Sequence, residues 1–148
     1  THRLAGALPL PHSIAGWKMS NLSSYLADYY MLTDEQLDYV ANGCGPKFGP
    51  LGFLVPDFCA LYTPACNIHD WLYWSGGSSE VRALADLRLK MDMKETNSKL
   101  GWFKRMLLKP IPWIYYQVVS RIGGPSFHIS DKRRTIEDLR IEMEENYA

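Results

Sequence analysis

The sequence predicts an all-α fold, on three observations. No run of residues alternates apolar with polar as a half-buried strand does. Helix-start chemistry recurs ahead of apolar periodicity, with Thr33 before Gln36, Ser78 or Ser79 before Glu80, and Thr135 before Asp138. Glycine pairs at Gly76-Gly77 and Gly123-Gly124 stop whatever precedes them. The chain has 148 residues, 47% hydrophobic and 22% charged. That is enough for one domain with its own core, spanning 1–148, and it argues against disordered or collagenous classes.

Taken in order, residues 1–32 form an irregular N-terminal arm, rich in Pro, Ala and Leu over 4–17. The Thr33 and Gln36 pair starts a short helix through Leu37 and Val40, which Asn42 and Gly43 end. Between 43 and 56 there are four Gly and three Pro among fourteen residues, a loop rich in free backbone carbonyls. A helix over 64–74 follows, with Pro64 near its start, and Gly76-Gly77 breaks it. A second helix begins near Ser78 or Ser79, has Glu80 in its first turn, and runs to about Glu95. Two helices joined by so short a turn make an antiparallel hairpin, so loop and hairpin together occupy 42–95. Residues 99–148 supply C-terminal helices. One covers 113–122 after Pro112; the last opens at Thr135 and carries an apolar stripe of Ile136, Leu139 and Met143.

The formal charge of zero conceals an uneven distribution. Residues 1–98 hold 7 basic and 10 acidic groups, residues 99–134 hold 8 and 1, and residues 135–148 hold 1 and 5. Without a net positive charge a generic nucleic-acid binder is disfavoured. The cationic segment mixes Trp102, Phe103, Lys104, Arg105, Lys109, Trp113, Tyr115 and Tyr116, as interfacial surfaces do. Two other fates stand beside a phospholipid membrane surface. The aromatics pack on the hairpin as a corner, or the bases, Lys132, Arg133 and Arg134 among them, pair with the acidic last helix. The apolar run 110–120 is 11 residues, against roughly 20 needed to span a bilayer. The chain opens on Thr1 rather than Met, which suggests a processed or trimmed product, whose missing start could have held a targeting segment. Three cysteines, Cys44, Cys59 and Cys66, are too few for a disulfide scaffold and too unevenly placed for a four-thiolate zinc site. One disulfide plus one thiol satisfies the count.

The chemistry gathers on the first hairpin helix. Cys66, His69, Asp70 and Tyr73 stand at i, i+3, i+4 and i+7, which stacks them on one face. Alone, His69 and Asp70 would be a satisfied polar pair on a helix surface. The carbonyl-rich loop upstream changes that, because calcium takes several oxygen ligands, often carbonyls plus a carboxylate. A cation beside an imidazole is an apparatus for hydrolysis, the base activating water and the metal stabilising the oxyanion. Such a base needs an orienting partner. Asp86 is the candidate, sharing a face with Leu89 and Met93; its other reading is an ion pair with Arg82 or Lys90.

These residues resemble the secreted phospholipase A2 superfamily. The match is Asn42-Gly43-Cys44-Gly45 followed by Phe48-Gly49, then Cys66-Asn67-Ile68-His69-Asp70-Trp71-Leu72-Tyr73, then Gly76-Gly77. It covers about residues 42–93 and is most similar to the group XII type. The resemblance implies His69 as general base, Asp86 as the acid that orients it, and Tyr73 as a hydroxyl bonding that acid. It implies Ca2+ held by Asp70 and the carbonyls of Gly43, Gly45 and Lys47, and a Cys44–Cys66 disulfide that leaves Cys59 a buried thiol. Where relatives bridge the two long helices, this chain sets Leu72 against Ala85. Ala65 replaces a usual cysteine, Lys47 stands where many members have Gly, and only 15 residues separate Asp70 from Asp86. The implied activity is hydrolysis of the sn-2 ester of glycerophospholipids by a secreted or extracellular enzyme. Two other classes remain: a catalytically silent lipid or receptor binding module, and a small zinc protein using Cys44, Cys66, His69 and Asp70.

Overall fold

The computed structural model describes residues 18–41 and 56–148, with side chains of the second segment from Ala60 onward. The Gly-rich loop and most of the N-terminal arm lie outside them. Seven helices are described: α1 (Ser23–Tyr29), α2 (Asp34–Val40), α3 (Pro56–Ser75), α4 (Ser79–Ser98), α5 (Trp102–Leu108), α6 (Ile111–Ile122) and α7 (Ile136–Tyr147). Short 3-10 turns cover Met19–Leu22 and Gly124–Ser126. Among the described residues there is no strand, only an isolated parallel bridge between Gly77 and Ile129. None of the described helices is long and apolar enough to cross a membrane.

The capping signals act where the sequence places them. Thr33 Oγ1 accepts from the Gln36 backbone N–H, and the Gln36 side chain accepts from the Thr33 N–H. Thr135 and Asp138 repeat that reciprocal pair at the start of α7. Three boundaries depart from expectation. Residues 19–29, read as irregular arm, are helical, because Leu22 and Tyr25 are drawn into the core. The first hairpin helix begins at Pro56, eight residues before Pro64. Pro56 takes the first helical position, where a missing N–H costs nothing, and Ala60 and Pro64 are both exposed, so the interrupted bond faces solvent. The third is α5, which was not expected as a helix.

Helix α3 is the hub because its buried residues enter three separate apolar clusters. Ile68 and Leu72 join Leu22, Tyr25, Leu84, Ala85 and Phe127 in one cluster. Tyr62, Ala65 and Cys66 join Leu89 and Met93, with Ile111, Tyr115 and Val119 of α6 against them. Trp71 joins Val40, Leu139 and Met143, which docks α2 and α7. Leu72 and Ala85, expected to face each other across the hairpin, are both fully buried in the first cluster.

The α3–α4 turn is stitched to the segment after α6. Gly77 N–H donates to the His128 carbonyl at 2.9 Å, Ser130 N–H to the Gly77 carbonyl at 3.0 Å, and the Tyr25 hydroxyl to the Gly76 carbonyl at 3.0 Å. Gly76 has φ +71°, and a Cβ there would lie 2.0 Å from the His128 carbonyl oxygen. Both the dihedral and the close approach demand glycine. Gly76→Ala is expected to destabilise the chain by about 2 kcal/mol or more and to lower the thermal midpoint by several degrees, read by circular dichroism.

Candidate active site

His69 stands six residues before the end of α3, and Asp86 seven after the start of α4. In an antiparallel hairpin with a short turn, positions equally far from the turn face each other. His69 Nε2 lies 2.9 Å from Asp86 Oδ1. Tyr73, one turn beyond His69, donates its hydroxyl to the same oxygen at 2.6 Å, and the His69 and Tyr73 rings pack with centroids 4.1 Å apart. His69 and Asp86 are 7% and 2% exposed. The alternative ion pair of Asp86 with Arg82 or Lys90 is not formed. Arg82 bonds the carbonyls of Val119 and Ser120, and Lys90 lies over the Tyr116 ring.

This arrangement defines the tautomer of His69. An ionised carboxylate only accepts hydrogen bonds, so neutral His69 donates from Nε2 and carries its lone pair on Nδ1. No described residue bonds Nδ1, which leaves that nitrogen to take a proton. The carboxylate is also placed to stabilise the imidazolium formed when it does.

Tyr73 is buried beside Phe127, whose ring meets it edge-on at 5.2 Å. Burial raises the Tyr73 hydroxyl well above its usual 10.0, the bond to Asp86 pushes the same way, and Arg82 opposes both. The folded chain therefore holds this proton more tightly than the unfolded chain, which sheds it near pH 10. Stability contributed by Tyr73 is complete below that pH and is lost as pH rises past it, with a limiting slope of about 1.4 kcal/mol per pH unit. Urea unfolding between pH 9 and about 11 should show a steeper alkaline decline for the native chain than for Tyr73→Phe.

Asp70 follows His69 on α3 and is half-buried. The other expected calcium ligands, Gly43, Gly45 and Lys47, lie outside the described residues. Among the described residues no group of three His, Cys, Asp or Glu side chains is placed to hold a metal. One carboxylate plus backbone carbonyls is an all-oxygen donor set, which fits a hard cation such as calcium.

Cys66 is disulfide-bonded. Cys44 and the Cys59 side chain lie outside the described residues. Helix geometry still bears on the pairing, since Cys59 and Cys66 are seven residues apart on α3, roughly 10 Å along the axis. That exceeds the separation of about 7 Å that a disulfide tolerates. A disulfide sulfur offers no thiolate, so the zinc alternative loses Cys66 as a ligand.

Two residues near the site were not singled out in the sequence. Phe127 walls Tyr73, and a Cβ at Gly123 would lie 2.6 Å from the Tyr73 hydroxyl. Gly123 showed only as a helix stop, and Phe127 had no local signal. A cavity of about 670 Å³ is lined by Tyr25, Gly77, Val81 and Arg133 among others, and His69 does not line it.

The cationic segment is resolved into parts. Arg134 lies 3.7 Å from Glu142, and Arg133 pairs with Asp28 at 2.8 Å. Among the described residues Lys104, Arg105 and Lys109 make no ion pair, so the acidic helix does not neutralise them. Tyr115 packs beside α4, as a corner would have it, but Trp102, Phe103 and Trp113 are exposed.

Compared with protein-family models, with curated proteins and with solved structures, the chain has no match.

Proposed function

We propose that this chain is a calcium-dependent phospholipase of the A2 type. The observation that carries the reading is the buried His69 Nε2 to Asp86 contact at 2.9 Å, with Tyr73 on the same carboxylate oxygen. Nδ1 of His69 takes a proton from water as the water oxygen bonds to the ester carbonyl carbon. The same proton then passes to the departing glycerol oxygen, so that one water and one ester give a fatty acid and a lysophospholipid. Asp86 orients the ring and stabilises its positive charge, and Tyr73 holds Asp86 in place. Calcium bound by the Asp70 carboxylate and the carbonyls of Gly43, Gly45 and Lys47 would supply the charge that stabilises the oxyanion.

We infer that Cys44 is the partner of Cys66, since helix geometry excludes Cys59. That crosslink would tie the Gly-rich loop to α3, and it suits a secreted protein in an oxidising compartment. The experiment is a calcium titration of fatty-acid release from phospholipid vesicles. Release should rise with calcium and stop when a chelator is added. Release that survives chelation would remove calcium from the mechanism, and vesicle binding without release at any calcium level would mark a silent binding module.

A further inference from the structure

We propose that Arg82 is a positioning residue for the His69 and Asp86 pair: its guanidinium, fixed against the end of α6, supplies the counter-charge of the buried carboxylate. The charge relation stands on the geometry alone, and its effect on hydrolysis rests on the reading above. Asp86 is 2% exposed, and the two groups that donate to it, His69 Nε2 and the Tyr73 hydroxyl, are neutral. A carboxylate taken out of water among dipoles alone is costly. A nearby cation offsets part of that cost without touching it, because a buried pair is screened much less than an exposed one.

Arg82 stands one turn before Asp86 on α4, a spacing that puts Cβ atoms roughly 5–6 Å apart. Between α4 and α6 lies a small cavity of about 130 Å³, lined by Arg82, Asp86, Ser79, Ala83, Tyr116 and Ser120. The guanidinium shares this cavity with the carboxylate and is held by α6. Its Nη2 donates to the carbonyls of Val119 at 3.3 Å and Ser120 at 3.0 Å, in the last turn of a helix, where carbonyls attract a cation. Gly124 packs close to it, since a Cβ there would lie 3.1 Å from Nη1. Arg82 Nε is buried with no hydrogen-bond partner, so carbonyl bonding alone does not account for a guanidinium at this place. Its charge reaches the site: burial pushes the Tyr73 hydroxyl up, and Arg82 pulls it down.

The other bases on the helices around Asp86 are absent or committed elsewhere. Helix α3 carries no Lys or Arg. On α4, Arg88 bonds Asp92 at 2.8 Å and Lys90 lies over the Tyr116 ring, while Arg121 of α6 is exposed. A carboxylate stabilised by Arg82 accepts from His69 Nε2, and that bond keeps the lone pair on Nδ1, where water is to be activated. Arg82 thus acts through Asp86 and touches neither water nor ester.

The test is a double-mutant cycle on the full chain, read by urea unfolding so that no turnover is needed. Arg82→Gln removes the charge and keeps an N–H for the α6 carbonyls. It should lower the urea midpoint at least about twice as much beside native Asp86 as beside Asp86→Asn, where no charge is left to match. Arg82→Lys keeps the charge, so its cost should be nearly the same in both backgrounds. Equal lowering by Arg82→Gln in the two backgrounds would overturn the proposal, as would a coupling to Asp86 found with Lys90→Gln in its place. A chain that is unfolded with Arg82→Gln alone and folded once Asp86→Asn is added shows the same coupling, whereas one unfolded in both backgrounds overturns it. In fatty-acid release, Arg82→Gln should cut kcat about tenfold with KM unchanged, and Arg82→Lys should restore most of it. A native kcat for Arg82→Gln would end the positioning role. Coupling in a native chain that releases no fatty acid would leave the counter-charge standing and remove the phospholipase reading.

Discussion

Replacing His69 with Gln is expected to abolish fatty-acid release while the chain stays folded. Gln retains an N–H able to reach Asp86, so the buried carboxylate keeps a donor, but it has no basic nitrogen to take a proton from water. The loss expected for a general base is about 10²- to 10⁴-fold. Release from vesicles and a thermal melt, measured side by side, separate chemistry from folding. Activity within about tenfold of native would remove His69 from the reaction.

Asp86 should show the second large effect, with two variants that differ in kind. Asp86 is 2% exposed and accepts from both His69 Nε2 and the Tyr73 hydroxyl. Asp86→Ala strands two buried donors, at about 1–3 kcal/mol each, a large share of the 5–15 kcal/mol that holds a domain folded. Asp86→Asn keeps the volume and one accepting oxygen, so its melting point should fall less. It lacks the charge that stabilises the imidazolium, and its hydrolysis should fall by about 10²-fold or more. The Tyr73→Phe and Asp86→Asn pair should be non-additive in stability, because both act on one hydrogen bond. Full activity of Asp86→Asn at an unchanged melting point would show that the carboxylate only fills space.

Why the hairpin and its site were legible is a matter of range. The Gly-Gly turn, the capping pairs and the face shared by Cys66, His69 and Tyr73 are set by residues within about two helical turns of one another. Once the turn is located, counting outward in both directions pairs His69 with Asp86. The short helices α1 and α5 gave no such signal. Neither α1 nor α5 has a side-chain cap, and seven residues are marginal alone; α1 exists because Tyr25 and Leu22 are buried, and α5 because Leu108 and Asn97 hold it. The start of α3 was misplaced because Pro56 and Pro64 carry the same local signature, and only the exposure of Pro64 shows how a proline is tolerated inside the helix.

By itself the sequence determined the all-α class, the turn at Gly76-Gly77, the two capping pairs, and the set of groups able to act as base, orienting acid and hydroxyl. Tertiary structure alone decided that Asp86 turns to His69 and Tyr73 rather than to Arg82, that Phe127 and Gly123 close around Tyr73, and that Tyr115 packs inward while Trp102 and Phe103 face out. Helical periodicity says which residues share a face, but not what that face meets. That depends on contacts between distant segments, and here the stitching of residues 127–130 to the hairpin turn and the anchoring of α5 through Asn97 make the choice.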